Sequence, residues 1–318
     1  MSHEVETMAW AKEVPWHGLG KEIPSDLTPQ QILEAAELDW TVEKRPMYFR
    51  NQDGKEISVG RPALVRSTDE KVLSVVSGDW NPVQNIEAFE FFHEFVMEGK
   101  MDMNTAGSLR GGKMVWALAE VKESFEILGG DRVESYLLFS NPHEYGKSID
   151  IRFTPIRVVC ANTLALSLNN ATDLSVKLNH RKAFDAEFVK ETMGIARTKL
   201  HEYKEMAEFL SSKRYRPAQL VEFLQQIFPS VATQKTDEDS SLSRPGTIVY
   251  DTLETQPGAE FGRGSWWQVF NSATYASNHL LGRRTDTRID SLWYGANKIK
   301  NIKALNLAVE MAGQSSGM

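Results

Sequence analysis

The sequence predicts an α+β fold: an antiparallel, hairpin-rich sheet backed by helices, followed by a mainly helical C-terminal part. Three observations carry that reading. Between residues 40 and 182, apolar and polar residues alternate in short runs separated by turn residues, the period-two mark of half-buried strands. Beyond residue 183 the apolar spacing changes to three and four, as on helices. The 318 residues are 41% hydrophobic and 25% charged, ordinary for a chain that builds one large domain or two modest ones.

The elements follow in order. Residues 1–39 read as an N-terminal arm and a short helix. Trp10, Pro15, Trp16, His17, Gly18, Leu19 and Gly20 make the arm aromatic and glycine-rich without a regular period, and Thr28-Pro29 caps a helix to about Leu38. The sheet domain occupies 40–182. Trp40 to Phe49 and Lys55 to Val59 flank the hairpin turn Asn51-Gln52-Asp53-Gly54. Pro62 to Arg66 pairs with Val72 to Val76. Asn85 opens a helix with Ile86, Phe89, Phe92 and Val96 at core spacing, stopped by Gly99. Met101 to Leu109 and Met114 to Val121 form a hairpin, and Phe125 to Leu128 and Val133 to Phe139 add further strands.

A central unit, Ile149 to Arg181, reads as strand, helix, strand. Ile149, Ile151 and Phe153 alternate with Asp150 and Arg152, Thr154-Pro155 has the form of a helix cap followed by proline at the first helical position, and Leu174, Val176 and Leu178 alternate again. The helical region covers 183–318. It contains a long helix from Ala183 to Ser212, a helix between Pro217 and Pro229, a helix from Ser265 to Leu281, and a last helix ending near Met311. Residues 232–246, low in apolar content, read as a mobile loop or linker.

Charge points to a focused site. The chain carries a formal −7, yet six cations from Lys147 to Lys182 (147, 152, 157, 177, 181, 182) face two aspartates, Asp150 and Asp173, for a local +4. A positive island in an acidic protein is a candidate anion site; it is equally a solvated face. A pI near 5.6 excludes indiscriminate coating of nucleic acid. The lone Cys160 excludes an internal disulfide framework and suits a reducing, cytoplasmic compartment. No signal peptide is read at the N-terminus, and no apolar run approaches the ~20 residues that span a bilayer.

The usual catalytic constellations are missing. Gly107-Ser108-Leu109-Arg110-Gly111-Gly112-Lys113 has phosphate-loop spacing, but Met114 stands where a hydroxyl must ligate magnesium, and the following residues read as strand. It is therefore a hairpin turn with a cationic tip. The seven histidines have no paired spacing and one cysteine builds no structural zinc site, so no metal and no cofactor are expected. His143 and His180, at strand ends beside cations, are the two histidines that merit a test.

The chain resembles phage/plasmid-like proteins catalogued as domain of unknown function 932. The resemblance rests on Trp16-His17-Gly18-Leu19-Gly20, on Trp80-Asn81-Pro82-Val83-Gln84-Asn85 before an aromatic helix, on Thr105-Ala106-Gly107-Ser108-Leu109 with Gly112, on Thr154 to Leu164, on Asn179-His180-Arg181, and on Trp267 to Asn278. The family usually shows tyrosine where this chain has Trp80, and a His-Asp-like pair where it has His143-Glu144. The resemblance implies a phage, prophage or plasmid setting and a host-cell cytoplasm. It implies no established activity.

The leading functional reading is a non-enzymatic protein that binds single-stranded DNA, as in annealing during recombination, working as a homo-oligomer. Such binding needs cations that follow phosphates and rings that stack on bases. The candidates are Arg110, Lys113, Lys147, Arg152, Arg157, Asn162, Lys177, His180 and Arg181, with Tyr145 or Trp80 as stacking rings. The alternative is a structural or host-interaction protein whose partner is a phage or host protein. A third reading, an enzyme acting on a nucleotide, would place Arg157, Asn162 and His180 around a pocket.

Overall fold

The computed structural model describes residues 4–12, 15, 18–127, 130–157, 162–163, 175–181, 185, 201–230, 242–282 and 288–314; the side chains of 123, 157, 162, 163, 175 and 288–290 lie outside that description. The fold is α+β, with helices concentrated toward the C-terminus.

The strands are β1 (Val5–Trp10), β2 (Lys21–Glu22), β3 (Val42–Arg50), β4 (Glu56–Arg66), β5 (Val72–Val75), β6 (Met101–Leu109), β7 (Met114–Ile127), β8 (Asp131–Pro142), β9 (Ile149–Arg157), β10 (Asn162–Thr163) and β11 (Ser175–Leu178). The helices are α1 (Pro29–Ala35), α2 (Asn85–Met97), α3 (helical at 201–212), α4 (Pro217–Ile227), α5 (Arg244–Thr252), α6 (Trp266–Tyr275), α7 (Arg288–Tyr294) and α8 (Ala296–Gln314). One sheet runs β10-β9-β8-β7-β6-β1-β2, with β11 also on β9; a second runs β3-β4-β5. The β1–β6, β6–β7, β9–β10 and β9–β11 pairings are antiparallel, and β1–β2 is parallel.

Local chemistry explains these elements. Thr28 caps α1 by accepting from the Gln31 N–H, while the Gln31 side chain returns to the Thr28 N–H. Glu87 plays the returning role at the start of α2. The Asn51 side chain accepts from the amides of Asp53 and Lys55 and so builds the β3–β4 turn. Ser243 caps α5, whose first turn carries Pro245, so structured chain begins before the end of the stretch expected to be a loop; residues 231–241 lie outside the described residues.

The expected arm also differs. Val5–Trp10 is a strand zipped to β6 from Val5↔Leu109 to Trp10↔Thr105. Its period is hidden because Met8, Ala9 and Trp10 are buried in succession, as on a strand covered on both faces.

One expectation is corrected. Thr154-Pro155 does not start a helix; both residues lie inside β9, and Asn162 and Thr163 pair back onto Arg157 and Ile156. Thr-Pro suits a helix cap, but here the β-branched neighbours Ile149, Ile151 and Ile156 favour the strand. β11 pairs with residues 149–152 and β10 with 156–157, so on that edge of β9 Pro155 stands between two short ladders.

By chain contacts the molecule divides into two units: Met1–Lys122, Tyr136–Phe153 and Ser175–Ala196; and Glu123–Ser135, Thr154–Leu174 and Arg197–Met318. In the first unit α1 and α2 bury Ile32, Leu33, Phe89 and Phe92, and Phe91 and Phe92 meet Phe139 of β8 with ring centroids 5.6 and 6.1 Å apart. The second unit has its own core, in which Trp266, Trp267, Phe270, Phe223, Tyr203 and Leu305 pack with Ile127 and Val133. There the Trp267 indole N–H donates to buried Asp131 at 2.8 Å, giving that carboxylate a partner away from water.

Gly107 tests the first unit most sharply. A Cβ placed there would stand 2.4 Å from the Thr7 carbonyl oxygen and 2.4 Å from the Trp116 ring, so β1 and β6 approach as closely as they do only because the side chain is absent. Gly107→Ala is expected to destabilise the protein by about 1–3 kcal/mol, the usual range for overpacking, measured as a lower urea midpoint at unchanged m-value.

Candidate functional site

The site is built around an arginine. Arg66, at the end of β4, is buried and holds two carboxylates. Its Nη1 and Nη2 donate to Glu6 of β1 at 2.8 and 3.0 Å, and its Nε and Nη2 donate to Asp69 at 2.9 and 2.6 Å. Hydrogen bonds from the guanidinium hold the Asp69 carboxyl down at about 2, and the paired carboxylates hold the guanidinium charged. Two planar forks on one arginine fix the β4–β5 turn against β1.

The β6–β7 turn packs on this clamp. Arg110, Gly111 and Gly112 all have positive φ (54°, 67° and 86°), tightening the turn. A Cβ on Gly112 would lie 2.8 Å from Arg66 Nη1, and one on Gly111 would meet Lys71 Nζ. The phosphate-loop-like spacing is thus a hairpin tip.

Loop 143–147 completes the surface. The His143 N–H donates to the Lys113 carbonyl at 2.9 Å, Arg110 pairs with Glu144 at 3.1 Å, and the Tyr145 N–H donates to Ser74 Oγ at 3.1 Å. Arg61 lies over the Tyr145 ring, 5.0 Å from its centroid, while the tyrosine stays 46% exposed. Arg61 thus stacks on one exposed aromatic ring, and Lys71, Arg110, Lys113 and Lys147 lie on neighbouring segments of the first unit.

The nine sequence candidates separate. Arg110, Lys113 and Lys147 come together here. Arg152 is largely buried and paired with Asp150 at 2.7 Å. Lys177 is exposed opposite Asp150 in the β11–β9 ladder. Arg181 pairs with Asp79 at 3.1 Å in the open. Arg157 and Asn162 are cross-strand partners whose side chains lie outside the described residues. His180 is buried and stacked on Trp80 at 4.0 Å, so neither ring faces solvent for a base. Sequence reasoning missed Arg61 and Lys71, which sit outside the cationic run and reach the site only through the β4–β5 pairing.

Beneath the surface is a polar core. Asn85, at the start of α2, donates through Nδ2 to the Leu38 carbonyl at 2.9 Å, leaving Oδ1 to accept from His143 Nε2 at 3.0 Å. Asn141 Nδ2 donates to the Val83 carbonyl at 2.9 Å. His180 Nδ1 donates to the Asn81 carbonyl at 3.2 Å, and the His180 carbonyl accepts from the Asn81 N–H at 2.7 Å. Burial pushes His143 down to about 3 and His180 down to about 4, so both rings are neutral near pH 7.

A cleft of about 410 Å³ beside the clamp is lined by Glu6, Met8, Lys21 and Glu37 among others. Among the described residues no three His, Cys, Asp or Glu side chains are grouped to hold a metal, and no helix is long and apolar enough to cross a membrane.

A family model described as Domain of unknown function (DUF932) matches residues 72–293, more than two thirds of the chain. No curated protein and no solved structure matches.

The two histidines set the acid limb of stability. The unfolded chain takes up protons near pH 6.5 that the folded protein refuses until about 4 or below. Stability should be fully present above pH 6.5 and fall as pH drops through the window from 6.5 toward 4, by roughly 1.4 kcal/mol per pH unit for each ring. Urea unfolding across that window should show the loss, and His143→Gln should remove roughly half of the slope.

Proposed function

The chain belongs to the DUF932 family, whose description names no activity, and from the geometry above we propose that it binds single-stranded nucleic acid across the Tyr145 surface. One observation carries the reading: an exposed ring, already stacked by Arg61, sits on a loop whose neighbouring segments carry Lys71, Arg110, Lys113 and Lys147. Cations supply sequence-independent attraction to phosphates, and the ring offers a face to any base. Preference for single strands follows because a base must leave its partner to reach a tyrosine. The acidic remainder of the chain repels duplex from other faces and confines contact to the patch. Annealing of strands by a homo-oligomer, in a phage or plasmid setting inside the host cytoplasm, is the biological form of this proposal.

A second reading has its own observation. The β3–β4 hairpin displays Tyr48 and Phe49, more than half exposed, with Ile57 and Val59 also open to solvent. Phe49 and Ile57 are cross-strand partners and share one face. An exposed apolar face of that kind favours a protein partner, the structural or host-interaction alternative.

Binding of a labelled 40-mer should weaken linearly in log salt. The Arg61→Ala, Lys113→Ala, Lys147→Ala triple variant should flatten the slope by about 2, at roughly 0.7 per lost phosphate contact on a single strand. Tyr145→Ala should cost about 1–3 kcal/mol with the slope unchanged. Arg181→Ala, which breaks only an exposed pair, should change little. No binding at low salt, or a slope indifferent to the triple variant, rejects the proposal. Retention of a protein partner by that variant would then favour the β3–β4 face.

A further inference from the structure

The β6–β7 turn has donors that the described residues leave unused. Its four residues, Arg110 to Lys113, join Leu109 and Met114, the pair that closes the strand ladder. Both ends of the turn are pinned. The Arg110 N–H donates to the Glu4 carbonyl at 2.9 Å, and the Lys113 carbonyl accepts from the His143 N–H at 2.9 Å. Between these pins lie three consecutive amides, those of Gly111, Gly112 and Lys113. None of the three has a hydrogen-bond partner among the described residues. Gly112 is buried, which keeps bulk water from most of it, and a buried N–H needs an acceptor.

Covalent continuity gathers these donors. Neighbouring residues stand about 3.8 Å apart along the backbone, so three amides in a row lie within reach of one small anion. Positive φ at Arg110, Gly111 and Gly112 curls the chain, and successive N–H groups in such a turn form an anion-binding concavity. A cation stands at the same place. A Cβ built on Gly111 would meet Lys71 Nζ, so the ammonium rests against the backbone of the turn. That ammonium makes no hydrogen bond among the described residues. Its ion-pair partner Glu6 is 3.9 Å away and already accepts from both Nη atoms of Arg66.

We propose that the amides of Gly111, Gly112 and Lys113, together with the Lys71 ammonium, hold one phosphate group. Phosphate oxygens accept several charge-assisted hydrogen bonds at once, and an oxyanion bonds a backbone N–H roughly twice as strongly as a neutral acceptor does. Glycine suits both central positions, because a side chain at Gly111 would displace the ammonium and one at Gly112 would stand 2.8 Å from Arg66 Nη1. The site differs from a phosphate loop. Its amides belong to a hairpin turn and not to a helix start, and Met114 brings no hydroxyl for magnesium. The loop that pins Lys113 also carries Tyr145. In the nucleic-acid reading, on which this choice of ligand rests, the group is therefore a backbone phosphate of the bound strand.

The test follows backbone amides of the full, isotope-labelled chain by nuclear magnetic resonance. Inorganic phosphate and a single-stranded 40-mer are added in separate titrations, with ionic strength held constant by sodium chloride. The Gly111, Gly112 and Lys113 amides should move with both probes and stay in place with chloride alone. Lys71→Met, which keeps the stem and removes the charge, should weaken phosphate binding by about tenfold or more, as expected for a hydrogen bond to a charged group. Gly111→Ala should weaken it as well. Amides that move with neither probe, or with the 40-mer alone, overturn the proposal, and that result needs no variant to fold. Unchanged phosphate affinity in Lys71→Met, with its remaining spectrum matching the wild type, also overturns it. Movement with phosphate alone keeps the phosphate site and rejects the nucleic-acid reading. Binding of the 40-mer while these amides respond to neither probe keeps that reading and rejects this site.

Discussion

The first unit depends on how one buried guanidinium is neutralised. Arg66 is deep enough that an unpaired charge would be prohibitive, and it meets two carboxylates with five donors in a rigid fork. Glu6 comes from β1, at the start of the chain, and Asp69 from the turn after Arg66 itself. The contact therefore ties the three-stranded sheet to the larger one. Glu6 also accepts from Ser108 Oγ at 3.3 Å, which draws the end of β6 into the same knot. Glu6 lies 3.9 Å from Lys71 Nζ as well, and Glu144 pairs with Arg110, so both acids serve the cations of this surface as well as its scaffold.

Loop 143–147 serves both faces of this arrangement. Asn141 and His143 turn inward, where they anchor to Val83 and Asn85. Glu144, Tyr145 and Lys147 turn outward beside the hairpin tip. The segment Asn81 to Asn85 is the inner scaffold, since its carbonyls and one amide fix three buried side chains drawn from β8, the β8–β9 loop and the turn after β11. Side chains that decide burial and side chains that decide surface charge are interleaved within a few residues.

Much of the fold was legible in the chain. Strand alternation, the Asp-Gly turn, the Thr28-Pro29 cap and the tryptophan-rich α6 stand where their local signals place them. The signals failed where local chemistry has two uses. Thr154-Pro155 reads as a helix start, yet a proline between two short ladders is equally at ease in a strand, and only the pairing of Arg157 with Asn162 decides it. Candidate site residues were legible by type and not by place. Arg110, Lys113 and Lys147 meet at one surface, while the cations nearest the central strand are taken up by Asp150 and Asp79. Arg61 and Lys71 carry no local mark of function. The histidine pair was visible as two unusual residues, but His143 and His180 are too far apart in sequence for any spacing rule to join them.

The claim that Tyr145 and its cations form the contact surface can be read most directly by ultraviolet crosslinking of a single-stranded 40-mer to the wild-type protein at low salt, followed by peptide mass spectrometry. The account predicts adducts on the peptide carrying Tyr145, lost in Tyr145→Ala. Adducts confined to the β3–β4 hairpin, or none at saturating DNA, would contradict it.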